Sequence, residues 1–415
     1  MRTVKPEDLL PADAVAVIRD VATSADARST LVFAEGRVVA AEERPSSGIE
    51  VDAAGWMLLP PLADVHAHLD KAYTWDAAGR PEGSLGDAVA CWIDFGASHG
   101  YEQIAANARR QLTAALAAGV TAMRSHANYY PGDDPLRGVR ALVALREELR
   151  GLVDLQIVAM GGPDHPDSLI REAVALGVDL LGGAPHLSPD PEAEIRRTVR
   201  LAEEAGIGID VHTDENLNPD SQGLASLARL TAHWPDGRRR DAGHCVSLAV
   251  QPPDRLSEVL RLVADAGVSI VTNPLTNLYL QGWDHPQSMP RALPPLREIV
   301  DAGVPLAAGG DNVQDPFNPL GNGDMVDVVA SLVLAGHLPP ALAWDVASTA
   351  GRRMMGLPDA RGLVGDVADG ILVRAASIAE AIAERAPDRI VIRDGRVVAR
   401  RLTEVVTVLR GPDQP

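Results

Sequence analysis

The sequence predicts an α/β protein in which a (β/α)8 TIM-like barrel is joined to a small β-sandwich domain formed by both termini. Three observations carry this prediction. Short apolar runs alternate with longer amphipathic stretches. Eight such runs spread over about 300 residues, the length of one closed barrel. Two similar hairpin-like octapeptides stand at opposite ends of the chain.

The expected barrel strands, in order, are Trp56 to Leu62, Val120 to Met123, Leu155 to Met160, Val178 to Leu181, Ile207 to Val211, Asp241 to Val246, Val268 to Val271 and Val304 to Ala308. Several are almost wholly apolar, as strands covered on both faces must be. Between them, Tyr101 to Ala118, Pro191 to Ala205 and Pro253 to Ala266 place apolar residues at helical spacing after polar or proline punctuation. No GxGxxG turn follows a strand, which argues against an open dinucleotide-binding sheet.

The octapeptides FAEGRVVA (Phe33 to Ala40) and IRDGRVVA (Ile392 to Ala399) each place an acidic residue and a glycine between β-branched segments. The expected domains are therefore residues 1–58 and 362–415 as two parts of one β-sandwich, and 59–361 as the barrel. Pro286 to Pro295 and Asn312 to Asn322 are the Pro/Gly/Asn-rich connections expected to cover the barrel mouth.

Composition narrows the function. With 38 basic against 57 acidic residues and a net charge of −19, the chain would repel a phosphate backbone, so no nucleic acid is expected. No apolar run reaches the roughly 18 residues of a membrane span and the start lacks a signal peptide, so no membrane association and a cytoplasmic location are expected. Cys91 and Cys245 form no disulfide framework. Neither has the CxxC partner that the small zinc deaminases require. The only lysines are Lys5 and Lys71, so none is expected in mid-barrel to bridge two metals as a carbamate.

The candidate chemistry lies at strand ends. His66 and His68 close the first expected strand in LADVHAHLD; residues two apart on a strand point the same way, so both imidazoles can reach one ion on the barrel axis. His212 follows the fifth strand in IDVHTDE, and Asp311 the eighth in LAAGGDN. Any one of these is explained by loop or helix capping, but four together make an N3O set suited to zinc or ferrous iron. Glu215, three residues after His212, can reach a metal-bound water without occupying the metal, and His244 ends the sixth strand in DAGHCVS. A proton must travel from the nucleophile to the leaving nitrogen, and Glu215 is the candidate carrier. His126 and His186 also fall at strand ends, open between pocket lining and structural hydrogen bonding.

The segments LLPPLADVHAHLDKAYTW, DLQIVAM, VHTDE, GHCVSLA, TNPLTNLYLQG and GGDNVQDPFNPLGNGDM resemble, in order and over most of the chain, the cytosine deaminase-like branch of the amidohydrolase superfamily. The chain is also similar to the N-isopropylammelide isopropylamidohydrolases. The resemblance implies one divalent ion, zinc or iron, on His66, His68, His212 and Asp311. It further implies that Glu215 protonates a ring nitrogen and then the departing amine, that His244 orients the attacking water, and that Asp311 also accepts the water proton. The implied activity is hydrolytic deamination of a cyclic nitrogen heterocycle, such as a cytosine-like pyrimidine, a pterin or a triazine. Removal of an alkylamine from a triazine, or opening of a cyclic amide, is the alternative. A homo-oligomer is implied as well.

The chain departs from that branch around the substrate. Gly162 stands where cytosine deaminases carry a glutamine reading the ring's amide edge, Asn312 replaces a second aspartate, and Phe317 replaces a tryptophan. Cytosine itself fits poorly with such a loss, because a missing polar contact weakens discrimination by orders of magnitude. Gly162, Asn312, Phe317, Gln281, Asn128 and His126 are the expected substrate-binding residues, with Gln281 equally able to satisfy loop backbone groups. A barrel kept only as a binding scaffold is disfavoured, since no element of a catalytic site is missing.

Overall fold

Residues 1–24 and 27–406 are described by a computed structural model. The chain forms two compact units, Met1–Leu59 with Gly362–Pro415, and Pro60–Arg361. Of the expected terminal domain, residues 25, 26 and 407–415 lie outside the described residues.

The terminal unit is one nine-stranded mixed sheet drawn from both chain ends. Its core holds Val15, Ile18, Phe33, Val51 and Trp56 from the N-terminal part and Leu372, Ile390 and Ile392 from the C-terminal part. The two octapeptides are its hairpins. Glu35-Gly36 and Asp394-Gly395 turn with positive φ at both residues (51° and 72°, 48° and 72°), as the right-handed twist of a two-residue hairpin demands.

The second unit is the expected barrel. Its strands β1 (Leu62–Ala67), β2 (Val120–Asn128), β3 (Asp154–Met160), β4 (Leu180–Gly182), β5 (Gly208–Thr213), β6 (Arg240–His244), β7 (Ser269–Thr272) and β8 (Leu306–Ala308) pair in sequence order, each parallel to the next. Closure is made at one bridge, Ala67 to Asp311, where the Asp311 N–H donates to the His66 carbonyl at 2.7 Å. Beside it, buried Asp64 accepts from Gly310 N at 2.9 Å and from His66 N at 3.2 Å. The helices follow their sequence signals: Pro191–Ala205 starts with proline at its first position and Asp190 capping the Ala193 N–H at 3.0 Å.

Two strands differ from expectation. The run Trp56 to Leu62 is not one strand: Met57–Leu59 belongs to the terminal sheet and β1 begins at Leu62. Pro60-Pro61 separates them, since proline gives a ladder no N–H. β2 continues past Met123 through Arg124, Ser125 and His126, all fully buried, because the upper half of this barrel is filled with polar side chains.

Arg124 organises that polar layer. From β2 it crosses to donate to Asp210 of β5 and Asp241 of β6, both at 2.6 Å, with all three side chains buried. Arg124→Met leaves two carboxylates buried without their cation, and a loss of about 3–5 kcal/mol is expected in chemical denaturation. Partial recovery is expected when Asp210→Asn and Asp241→Asn are added; a single variant as stable as the parent contradicts this account.

Candidate active site

At the C-terminal mouth, the ends of three strands, β1, β5 and β8, bring His66, His68, His212 and Asp311 together. The His212 Nε2 lies 3.2 Å from His66 Nε2 and 3.1 Å from His68 Nε2. Asp311 Oδ1 lies 3.9 Å and 3.4 Å from the same two nitrogens. Donors about 2.0–2.1 Å from a tetrahedral cation would stand about 3.3 Å apart, close to this spacing. Burial holds all three imidazoles well below their ordinary pKa, so they are neutral and give Asp311 no counter-charge. Both Asp311 oxygens are buried with no hydrogen-bond partner among the described residues. Four ligand atoms this close, two of the contacts reaching a carboxyl with no hydrogen-bond partner, suit a cation, so these four residues could hold a divalent metal.

Two overlapping triads, His66–His126–His212 and His66–His244–Asp311, also bring ligand atoms within 4.8 Å of one another. The quartet is the better set because the other members face elsewhere. His126 Nε2 lies 3.4 Å from Asp210 Oδ1, and its ring stacks on His66 at 4.1 Å. His244 Nδ1 lies 3.0 Å from Asn277 Nδ2, and its Nε2 lies 3.3 Å from Asn273 Nδ2.

The backbone around the quartet is specialised. Asp311 and His244 adopt left-handed conformations, φ 60° and 69°, which turn their side chains off the strand direction. Gly309 allows β8 to pass His66: a Cβ there would meet the His66 Cβ at 2.4 Å.

Glu215 lies beside this cluster, buried on the loop after β5. The Asn277 Nδ2 donates to its Oε1 at 3.1 Å, His244 Nδ1 stands at 3.4 Å, and His186 Nε2 at 3.8 Å from Oε2. Burial pushes the Glu215 carboxyl up to about 8, against the opposing pull of Lys71. It therefore carries a proton at neutral pH and can donate it. Burial likewise drives His186 down to about 4, so it is neutral; its Nδ1 lies 3.2 Å from the His212 carbonyl.

A cavity of about 160 Å3 opens over these groups, lined by His68, His212, Glu215, His244 and Asp311 and by Lys71, Asn128, Met160, Leu280, Asn312 and Phe317. A cavity of about 150 Å3 suffices for benzene, so this one suits a small heterocycle and not a polymer. Helix Leu85–Gly96 lays Leu85, Val89, Trp92 and Ile93 along one side, the face its i, i+4, i+7, i+8 spacing makes. No residue of Pro286 to Pro295 lines the cavity; Asn312 and Phe317 of the other expected loop do.

Three expected substrate contacts lie outside the lining of this cavity. His126 is fully buried in the barrel interior, away from the cavity lining, because β2 extends further than its apolar run. Gly162 is turned to the loop, its N–H donating to His165 Nδ1 at 3.1 Å. Gln281 Nε2 donates to the Glu215 carbonyl at 3.1 Å, holding backbone. Conversely, the sequence reading passed over Asn277, for which TNPLTN gave a signal, and Lys71, which was sought only as a metal bridge.

Residues 96–399 match the amidohydrolase family. The chain belongs to that family. This amidohydrolase is 31% identical over 395 residues to a pterin deaminase of Rhizobium rhizogenes, covering 91% of the chain and 89% of the relative. It is 26% identical over 372 residues to an N-isopropylammelide isopropyl amidohydrolase of Pseudomonas sp., covering 85% and 88%. In three dimensions it is similar to 5-methylcytosine deaminase from Klebsiella pneumoniae, with a TM-score of 0.84 at 26% identity, covering 94% of this chain and 100% of that one. Among the described residues, no helix of this amidohydrolase is long and apolar enough to cross a membrane.

Proposed function

We propose that this amidohydrolase removes ammonia hydrolytically from a small aminated nitrogen heterocycle, with one divalent ion, zinc or iron, on His66, His68, His212 and Asp311. The observation that carries the reading is a carboxyl, Glu215, which burial pushes up to about 8, in one small cavity with an N3O donor cluster. A divalent ion held there supplies Lewis-acid polarisation and a nucleophile drawn from water at neutral pH.

The residues divide the proton work. Glu215 gives its proton to a ring nitrogen, making the adjacent amino-bearing carbon electrophilic. Asp311 takes a proton from the attacking water, and His244, held at Nδ1 by Asn277, orients that water through Nε2 in place of the 3.3 Å contact with Asn273. A C–O bond forms; Glu215 takes the proton of the new hydroxyl and passes it to the amine as the C–N bond breaks, and the proton on Asp311 then restores Glu215. The net change is water consumed and ammonia released, with an oxo group in place of the amine.

The apolar side of the cavity, with Leu85, Val89 and Ile93, favours a second reading in which the leaving group is an alkylamine. Incubating metal-analysed protein with aminated pteridines, pyrimidines and N-alkylaminotriazines, while assaying ammonia and alkylamine separately, decides between them. Ammonia is expected; alkylamine alone supports the second reading, and neither product from any of these sinks both. We further propose a soluble, cytoplasmic homo-oligomer acting on a small molecule, to be checked by fractionation and sedimentation.

A further inference from the structure

We propose that Lys71 and Asn128 select the substrate by an oxo-bearing lactam edge, Lys71 donating to the ring oxygen and Asn128 accepting the neighbouring ring N–H. The inference deepens the deaminase reading and rests on it for the identity of the cavity's occupant.

Lys71 is 3% exposed and what it exposes faces the cavity. Its ammonium lies 4.3 Å from the Phe317 ring centroid and 5.7 Å from that of Trp92. Among the described residues it has no ion pair and no side-chain hydrogen bond. A buried ammonium resting only on ring faces keeps its donors unspent, and three N–H groups then await an acceptor.

The nearby carboxylates are engaged elsewhere. Asp311 belongs to the donor cluster and Glu215 holds a proton. Asp315 accepts from Asn312 Nδ2 at 2.7 Å and from the N–H groups of Phe317 and Asn318 at 2.8 Å and 3.2 Å. One Asn312 Nδ2 hydrogen is held in that bond, and Asn128 is the lining amide whose acceptor is buried and unpaired. Its backbone is pinned by Asp70 Oδ2 at 2.8 Å, and its Oδ1 is buried without a partner. One unspent cationic donor and one unspent amide acceptor match the C=O and N–H of a lactam. A carboxylate substituent would offer Lys71 the same charged oxygen, so the test separates the two sources.

Metal-loaded wild type, Lys71→Met and Lys71→Arg are assayed with 2-amino-4-oxopteridine, 2,4-diaminopteridine and the 6-carboxylate of each, by ammonia release and by equilibrium calorimetry. In wild type the two oxo compounds are preferred. Lys71→Met lowers kcat/KM and affinity for both oxo compounds about 100-fold and for both diamino compounds less than about threefold, at unchanged metal content. Lys71→Arg retains the oxo preference. Equal losses on all four, losses that follow the carboxylate, or a wild type that binds neither oxo compound each overturn the proposal. Binding of the oxo compounds without ammonia release rejects the deaminase reading alone, and Lys71 is then scored by the ratio of affinities.

Discussion

Replacing Glu215 by Gln is expected to lower kcat for ammonia release by about 10³-fold while the metal content per chain stays unchanged. Gln keeps the size of the side chain and the acceptor oxygen that Asn277 reaches at 3.1 Å, but it has no proton to lend. Loss of the ion in this variant would mean that Glu215 helps hold it and was assigned the wrong task. The same residue leaves a thermodynamic mark on the metal-free protein. Its carboxyl rises from 4.5 to about 8 on folding, chiefly by burial. Between those values the folded chain binds a proton that the unfolded chain releases. Stability from this group is therefore complete below pH 4.5 and is lost as pH rises to 8. The Gln variant lacks this loss, so its melting temperature without metal should gain on wild type from pH 5 to pH 8 and level off above. A constant difference across that range would show that Glu215 is not desolvated in the folded state.

The barrel was legible because its strands are covered on both faces and therefore read as uninterrupted apolar runs. The same rule failed where the interior turns polar. Arg124, Ser125 and His126 continue β2, yet a polar triplet looks like a strand end when only apolarity marks a strand. At the other end of the barrel, the Pro60-Pro61 step was present in the sequence as punctuation, but the apolar run across it masked a change of sheet. The metal and proton-transfer candidates stand out in the chain because they fall at the ends of β1, β5, β6 and β8. Substrate contacts could not, since they depend on which way loop side chains face. Gly162 donates its N–H to the His165 ring, and Gln281 donates to the Glu215 carbonyl. Helix Leu85–Gly96 reaches the cavity with residues that, as letters, are merely apolar.

Removing the metal is expected to abolish ammonia release, and adding one equivalent of zinc or ferrous ion per chain to restore it. Without a cation, three neutral imidazoles and the Asp311 carboxyl, pushed well up by burial, crowd one point across 3.1 to 3.9 Å, all buried. Binding should therefore also stabilise the fold, by about 2.7 kcal/mol when free ion reaches 100 times its dissociation constant. Asp311→Ala should eliminate both effects, since it removes the only carboxylate among the four. The overlapping triads give opposite expectations for His126. If His66, His126 and His212 formed the site, His126→Gln would lose the ion; if the quartet forms it, that variant retains one ion per chain. Two ions per chain in the restored wild type, or full activity after exhaustive chelation with metal content below one-tenth of an equivalent, would remove the basis of the proposed chemistry. Retention of the ion by Asp311→Ala with loss in His126→Gln would move the centre one layer deeper into the barrel, onto the side of His66 where Asp210 and Arg124 lie.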